Sequence, residues 1–457
     1  MDKEFKNNSL VTILIIIFII AFSHTSDIID KVNDLIDSKQ FSKAIRILQE
    51  NKQKIGIDYY TALSIIYAHT NSDYNSILKE AKRIFVDSEK NISNKNKNFS
   101  KILYCYGYIE YYVNLNIYNA EVFLKESLVY DQDNEKSMVV LAQLYYDKSE
   151  TEKSEELLDK TFEILKSKNT LNENFLKIYN QILFENKRYS KIIKLMKPYI
   201  QKYDIVKLFY AKSLTFNSEY IEANRIIREF ISKNNDNLEA YYILGLTYKD
   251  SRVKSSEGLE LIEKLNEQKN DRYYLKLAQF YEGLGDINMA INYYDKTLSL
   301  NKNNDKYYIL AITYAIDTGF TSKAINWALE YYNKKPKDFY ANLFLAMCYE
   351  YQKQFENSKK YYYQAIDIDP TKYEPYVRLA WIVLEQESDF NTCAEILLKG
   401  YNNSRDVYYK NRFKKSLKDL LDLESEFRKK YKERTNQDIS KGIRQELREQ
   451  IMKIIDS

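Results

Sequence analysis

Glycine and proline are scarce in this chain, at 9 and 4 residues among 457. So few breakers argue against a turn-rich β fold and for long helices. Cysteine is as rare: Cys105, Cys348 and Cys393 lack CxxC spacing and are too few for a disulfide scaffold. Each stands in a helical pattern beside apolar neighbours, where a buried free thiol is expected. The two histidines, His24 and His69, give no support to a multi-histidine metal site or a Ser-His-Asp triad. One-sided charge is missing too, since 69 basic and 65 acidic residues leave +4. A dedicated nucleic-acid binder concentrates basic charge on one face, so no nucleic acid is expected as a partner. No GxGxxG, GK[ST], GxSxG or HExxH pattern occurs. Adjacent carboxylates such as Glu155-Glu156 read as solvated charge on a helix surface.

One uninterrupted apolar run stands out, VTILIIIFIIAF from Val11 to Phe22. As a helix it would span about 18 Å, short of a hydrocarbon core of about 30 Å. It fits the apolar region of a secretory signal, and Ala21-Phe22-Ser23 supplies a small-x-small cleavage pattern. No cysteine follows, which leaves a lipoprotein anchor unsupported. Residues 1–23 are therefore expected to be a signal peptide or a short N-terminal membrane anchor, with any membrane association through residues 11–22. The expected location is periplasmic or otherwise extracytoplasmic, or at a membrane.

The rest of the chain is periodic. Ala290, Ala324 and Ser358 are spaced 34 residues apart, as are Pro336 and Pro370. A fixed period in this range marks stacked repeats. Leu277-Ala278 with Tyr281, Leu310-Ala311 with Tyr314 and Leu345-Ala346 with Tyr349 open three units. Leu244-Gly245 with Tyr248 and Leu141-Ala142 with Tyr145 repeat the signature upstream. Their spacing puts these side chains on one helical stripe. A second helix follows each, as at Tyr220, Ala223, Ile227 and Phe230, or at Phe41, Ala44 and Leu48. The Asn/Lys-rich stretch 88–98 reads as an exposed, mobile loop. The 44 tyrosines, among abundant Lys, Asn and Ile, imply no binding function by number alone.

This pattern resembles the tetratricopeptide repeat family, with Leu-Gly/Ala and Tyr in helix A, then Ala, an aromatic, Ala and a trailing Pro in helix B. The unit 339–372 matches through Leu345, Ala346, Tyr349, Phe355, Tyr362, Ala365 and Pro370, with Ser358 in place of the first alanine. The resemblance implies an all-α helical-repeat solenoid, a superhelix of antiparallel helix pairs. Residues 25–401 would hold about eleven units, starting near Thr25, Ile57, Ser100, Glu135, Glu173, Asp204, Leu238, Asp271, Asp305, Phe339 and Tyr373. The match is clearest over 204–370. At Ile57 and Glu173 the units are degenerate, with Ile77 and Ile192 at the alanine position. Ala142, Ala223, Gly245, Ala278, Ala290, Ala311, Ala324, Ala346, Ser358 and Ala365 are the small residues expected where helices cross, at about 8–10 Å. Pro336 and Pro370 end units. Residues 402–457 would form capping helices over Val407–Tyr431 and Ile439–Ile455, with an apolar stripe at Ile439, Ile443, Leu447 and Ile451.

Members of this family hold protein segments in a groove lined by helix A. The matching positions here are Tyr104, Tyr108 and Tyr111; Tyr242 and Leu246; Tyr308 and Ile312; Leu343 and Met347; Val377 and Trp381. A Lys/Asn clamp for a chain-terminal carboxylate is not evident. An apolar or amphipathic segment of a protein partner suits such a lining, with Trp381 the leading contact. The reading is a non-catalytic protein-interaction scaffold in a cell-envelope assembly, or alternatively a chaperone-like carrier of exported or outer-membrane proteins. No stretch outside the periodic region offers room for a catalytic domain. An enzyme and a helical-repeat RNA binder are the remaining classes, and no catalytic residue, metal or cofactor is expected.

Overall fold

The computed structural model describes residues 39–70, 72–249, 254–266, 268–404, 407–435 and 442–456, with a few positions between 28 and 35. The apolar run 11–22, the expected leader 1–23, His24 and Ile439 lie outside the described residues. Among the described residues the regular elements are all helical, with 23 α-helices.

Two compact units divide between Phe230 and Ile231. The first holds α1 (Phe41–Ile55), α2 (Ile57–His69), α3 (Tyr74–Lys82), α4 (Ile92–Tyr112), α5 (Ile117–Tyr130), α6 (Glu135–Asp147), α7 (Thr151–Ser167), α8 (Glu173–Glu185), α9 (Tyr189–Met196) and α10 (Asp204–Phe216). The division falls inside α11 (Tyr220–Lys233). The second holds α12 (Leu238–Lys249), α13 (Ser256–Lys264), α14 (Asp271–Leu284), α15 (Ile287–Leu300), α16 (Asp305–Asp317), α17 (Thr321–Lys334), α18 (Phe339–Tyr351), α19 (Phe355–Ile368), α20 (Tyr373–Glu387), α21 (Phe390–Asn403), α22 (Val407–Thr435) and α23 (Gln445–Asp456). Each unit is a stack of helix pairs, an all-α helical-repeat architecture.

Local chemistry sets the boundaries. Asparagine or aspartate precedes most first helices of a pair, and its side-chain oxygen accepts an orphan backbone N–H of the first turn. Asn134 accepts from Ser137, Asn172 from Phe175, Asn237 from Ala240, Asn270 from Tyr273, Asn304 from Lys306 and Asp338 from Ala341. Between the two helices of a pair the chain reverses through one left-handed residue. Ser149, Lys187, Ser218, Gly285, Gly319, Lys353 and Ser388 all take positive φ there. From Glu135 onward, a first helix begins at each of the expected unit starts.

Small residues sit in the crossings. Ala290, Ala324 and Ser358 are fully buried, and the Ser358 hydroxyl donates to the Ala346 carbonyl at 2.9 Å, joining α19 to α18. Ala142, Ala223, Ala278, Ala311, Ala346 and Ala365 are buried as well. Pro336 and Pro370 are exposed, and their carbonyls accept from Asn342 at 2.9 Å and Tyr376 at 3.2 Å. Gly245 departs from expectation. Its missing side chain admits the next first helix, α14, rather than a second helix. A Cβ there would stand 2.0 Å from the Phe280 carbonyl, and one at Gly283 would stand 2.0 Å from the Tyr242 carbonyl. The reciprocal glycines let the α12 and α14 backbones touch.

Three other expectations change. Residues 92–98 are the opening turns of α4 rather than loop, because Asn91 caps them by accepting from the Asn94 N–H. Ser100 therefore lies inside a helix. In α3 the fully buried residues are Leu78 and Ala81, while Ile77 is half-exposed, so the packing stripe runs one residue later than expected. Glu155 is not freely solvated: Lys191 at 2.7 Å and Arg188 at 3.1 Å bind it, tying α9 to α7. Ile192, by contrast, is fully buried where an alanine was expected.

At the C-terminal end α22 runs four residues past the expected Tyr431, and α23 starts at Gln445. Ile443, Leu447 and Ile451 are buried. Glu424 of α22 is fully buried and accepts from Arg428 Nε at 2.7 Å, from the Ile443 N–H at 2.9 Å and from Arg448. Burial alone would raise this carboxyl, but the three donors outweigh it and hold it below its ordinary value. Asn391 adds a second clasp, accepting from the Arg444 N–H at 2.8 Å and donating to the Gly442 carbonyl at 3.2 Å.

Candidate partner-binding face

The side chains expected to line a groove fall into two sets. In the first unit Tyr104, Tyr108 and Tyr111 of α4 are buried. Tyr108 packs between the rings of Tyr104 and Tyr112, at 6.1 and 4.5 Å between centroids, and Tyr111 donates to Asp147 of α6. In the second unit Tyr308 stacks on Tyr331 with centroids 5.1 Å apart, and Lys334 donates to its hydroxyl at 2.9 Å. Leu343, Met347 and Ile312 are buried too. These residues are consumed by packing. A docking segment could not reach them without displacing a helix, so they are corrected from lining to core.

Tyr242, Val377 and Trp381 remain half-exposed, as does Leu246. Tyr242 and Leu246 are one turn apart on α12, and Val377 and Trp381 one turn apart on α20. Around the latter pair Tyr376, Leu379 and Ala380 are buried, so an apolar stripe opens to water on a helix otherwise packed into the stack. Arg378 lies between them in sequence, with Nη1 3.2 Å from both carboxylate oxygens of Glu350. Tyr362 donates to the same carboxylate.

Polar rungs that sequence reading missed connect the first helices of the first unit. Tyr111 donates to Asp147, Tyr112 to Gln143 and Tyr146 to Glu185. The signal was available: tyrosine recurs near the ends of α4 and α6, and an acidic residue closes α6 and α8. Cys105, Cys348 and Cys393 are buried free thiols, and burial pushes each up to about 12, so none is poised as a nucleophile. Among the described residues, no group of three His, Cys, Asp or Glu side chains is arranged to hold a metal ion.

Comparison with known families agrees with the packing. The tetratricopeptide repeat profile matches residues 271–304 and 339–372. The chain carries tetratricopeptide repeats at these two places. No curated protein matches it. Among solved structures it is similar to the C-terminal part of a tetratricopeptide repeat-containing protein from Cytophaga hutchinsonii, at 18% identity over 54% of this chain and 93% of that one, with TM-score 0.35. Human IFIT1, as a dimer with PPP-AAAA, aligns at 14% identity over 93% and 95%, with TM-score 0.38. MamA from Desulfovibrio magneticus RS-1 aligns at 17% identity over 46% and 94%, with TM-score 0.27. The tetratricopeptide repeat family is generally non-catalytic, and its fold suggests a protein-protein interaction scaffold.

Proposed function

We propose that this chain is a non-catalytic scaffold that holds an apolar or amphipathic segment of a partner protein against the open stripes of its first helices. The observation that carries this reading is the Val377–Trp381 pair, half-exposed on a helix whose neighbouring residues are core. A tryptophan in a part-covered apolar setting is the residue type most able to anchor an interface. Trp381→Ala should weaken partner capture by at least roughly tenfold, about 1.4 kcal/mol, while the helical circular dichroism stays unchanged. Undiminished capture would return Trp381 to packing.

The apolar run 11–22 supports placing this scaffold beyond or at a membrane, within a cell-envelope assembly. Among the described residues no helix is long and apolar enough to cross a membrane. N-terminal sequencing of the mature protein tests the cleavage after Ser23, and recovery in the cytosolic fraction would defeat the placement. Crosslinking in the native cell separates a fixed-ratio assembly from a carrier with a mixed clientele.

A further inference from the structure

The second helix α5 is apolar on two opposite sides. Its inward residues Ala120, Leu124 and Ser127 are fully buried and face α4 and α6. On its outer side Tyr118 and Val129 are 77% exposed and Val122 44%. At about 100° per residue, Tyr118, Val122, Lys125 and Val129 fall together on the side opposite the buried stripe. Their spacing of four, three and four residues is that of a coiled-coil seam. This outer face is not a feature of the repeat. On α1, α3, α7 and α9, the other second helices lying wholly within this unit, every exposed residue is polar or charged. A helix that is apolar all round belongs in an interior, so the outer stripe of α5 lacks a cover that the single chain does not supply among its described residues.

The charges in and beside the seam say what fits. Lys125 stands within it, bound to Glu121 of its own helix at 2.5 Å, and Glu121 also binds Lys148 of α6 at 2.9 Å. Glu121 and Glu126 flank the seam on its two sides. A second α5 laid parallel would bring Lys125 against Lys125 and Glu121 against Glu126, since flanking residues five apart meet in a parallel pair. Both are like-charge contacts, which oppose association. Antiparallel pairing centred between Val122 and Lys125 removes both. Tyr118 then meets Val129 of the second copy, and Val122 packs on the aliphatic stem of its Lys125. The ammonium of Lys125 lies across from Glu121 of the second copy, reciprocally, and Glu126 faces Asn119.

We infer that α5 docks antiparallel on α5 of a second copy of this chain, forming a dimer about a two-fold axis through the middle of the helix. Such a contact must be self-complementary, and the stripe is: each apolar residue meets an apolar partner or stem and each seam cation an acid. The contact lies on the outer side of the stack and leaves the Val377–Trp381 stripe of the second unit untouched. With 14 residues, α5 is about 21 Å long. An interface built on one such helix is at the small end of specific contacts, so the dimer dissociates on dilution.

Sedimentation velocity of the full chain over a roughly hundredfold range of concentration should show a monomer–dimer equilibrium. Val122→Lys sets a second cation beside Lys125 of the other copy and should weaken the dimer at least roughly tenfold. Val122→Glu meets that lysine with an acid and should weaken it less. Val122 is exposed, so helical circular dichroism and the melting midpoint of the monomer should not move. A chain that is monomeric at every concentration, a dimer indifferent to Val122→Lys, or equal losses from the two variants overturns the inference. Cysteine crosslinking reads the orientation. Tyr118→Cys and Val129→Cys chains should form no disulfide-linked dimer separately and should form one when mixed, with the buried Cys105, Cys348 and Cys393 silent. Linkage within either variant alone would mean a parallel pair and overturn it. A monomeric chain whose α5 stripe crosslinks to a different protein in the native cell also overturns it.

Discussion

Ala290 has no exposed surface, and its place in the crossing of α14 and α15 leaves no room for a longer side chain. Ala290→Lys combines overpacking, about 1–3 kcal/mol, with a buried unpaired charge. The expected outcome is a lower denaturation midpoint with exchange protection lost in neighbouring repeats as well, since each repeat is stabilised by the next. A neutral substitution would require a new repeat register. The small residues were legible because crossings demand them wherever they fall. The groove residues were legible as a stripe but not as a surface. Ile312 and Trp381 each directly follow a Leu-Ala pair, yet Ile312 is fully buried and Trp381 is half-exposed.

Each helix pair turns through a left-handed residue, and the repeat fills that position unevenly. Gly285 and Gly319 suit it, while Lys353, 34 residues beyond Gly319, and Lys187 do not. Left-handed backbone costs an L-residue roughly 1–2 kcal/mol, partly offset by the unfolded-state entropy that glycine adds, about 0.4–1 kcal/mol. Lys353→Gly should therefore stabilise by about 0.5–1 kcal/mol on these terms, read as a higher urea midpoint with unchanged slope. An unchanged or lower midpoint would show that the Lys353 side chain is used in packing. Elements were the easiest scale to read from sequence, since caps and turns are local. The exception, 88–98, shows the limit: its polar composition suggested a loop, whereas the Asn91 cap and the continuation into α4 make its second half helix.

For the whole molecule, the C-terminal closure depends on one buried carboxylate. Glu424 holds α23 through Arg448 and the Ile443 N–H, and its pKa is depressed in the folded state. A group depressed on folding contributes stability that is complete above its ordinary value, here 4.5, and is lost as pH falls through the folded value. Acidification below about pH 4.5 should therefore free α23 before the rest of the second unit, seen as faster amide exchange over Gln445–Asp456. Glu424→Gln should show that faster exchange already at neutral pH and lose the acid step. An acid step retained in Glu424→Gln would assign it to other carboxylates.

The sequence by itself determined the helical class, the pairing of helices and nearly every helix start, because these follow from small-residue spacing, side-chain caps and the scarcity of breakers. It also marked the face of each first helix that turns away from its partner. Tertiary structure alone decided which of those side chains stay reachable and which charges are paired. Burial and ion pairing depend on residues brought from other repeats, as Asp147 is brought to Tyr111 across 36 positions and Asp58 to Lys101 across 43. A repeat pattern specifies where each helix begins, but not which side chains its neighbours will cover.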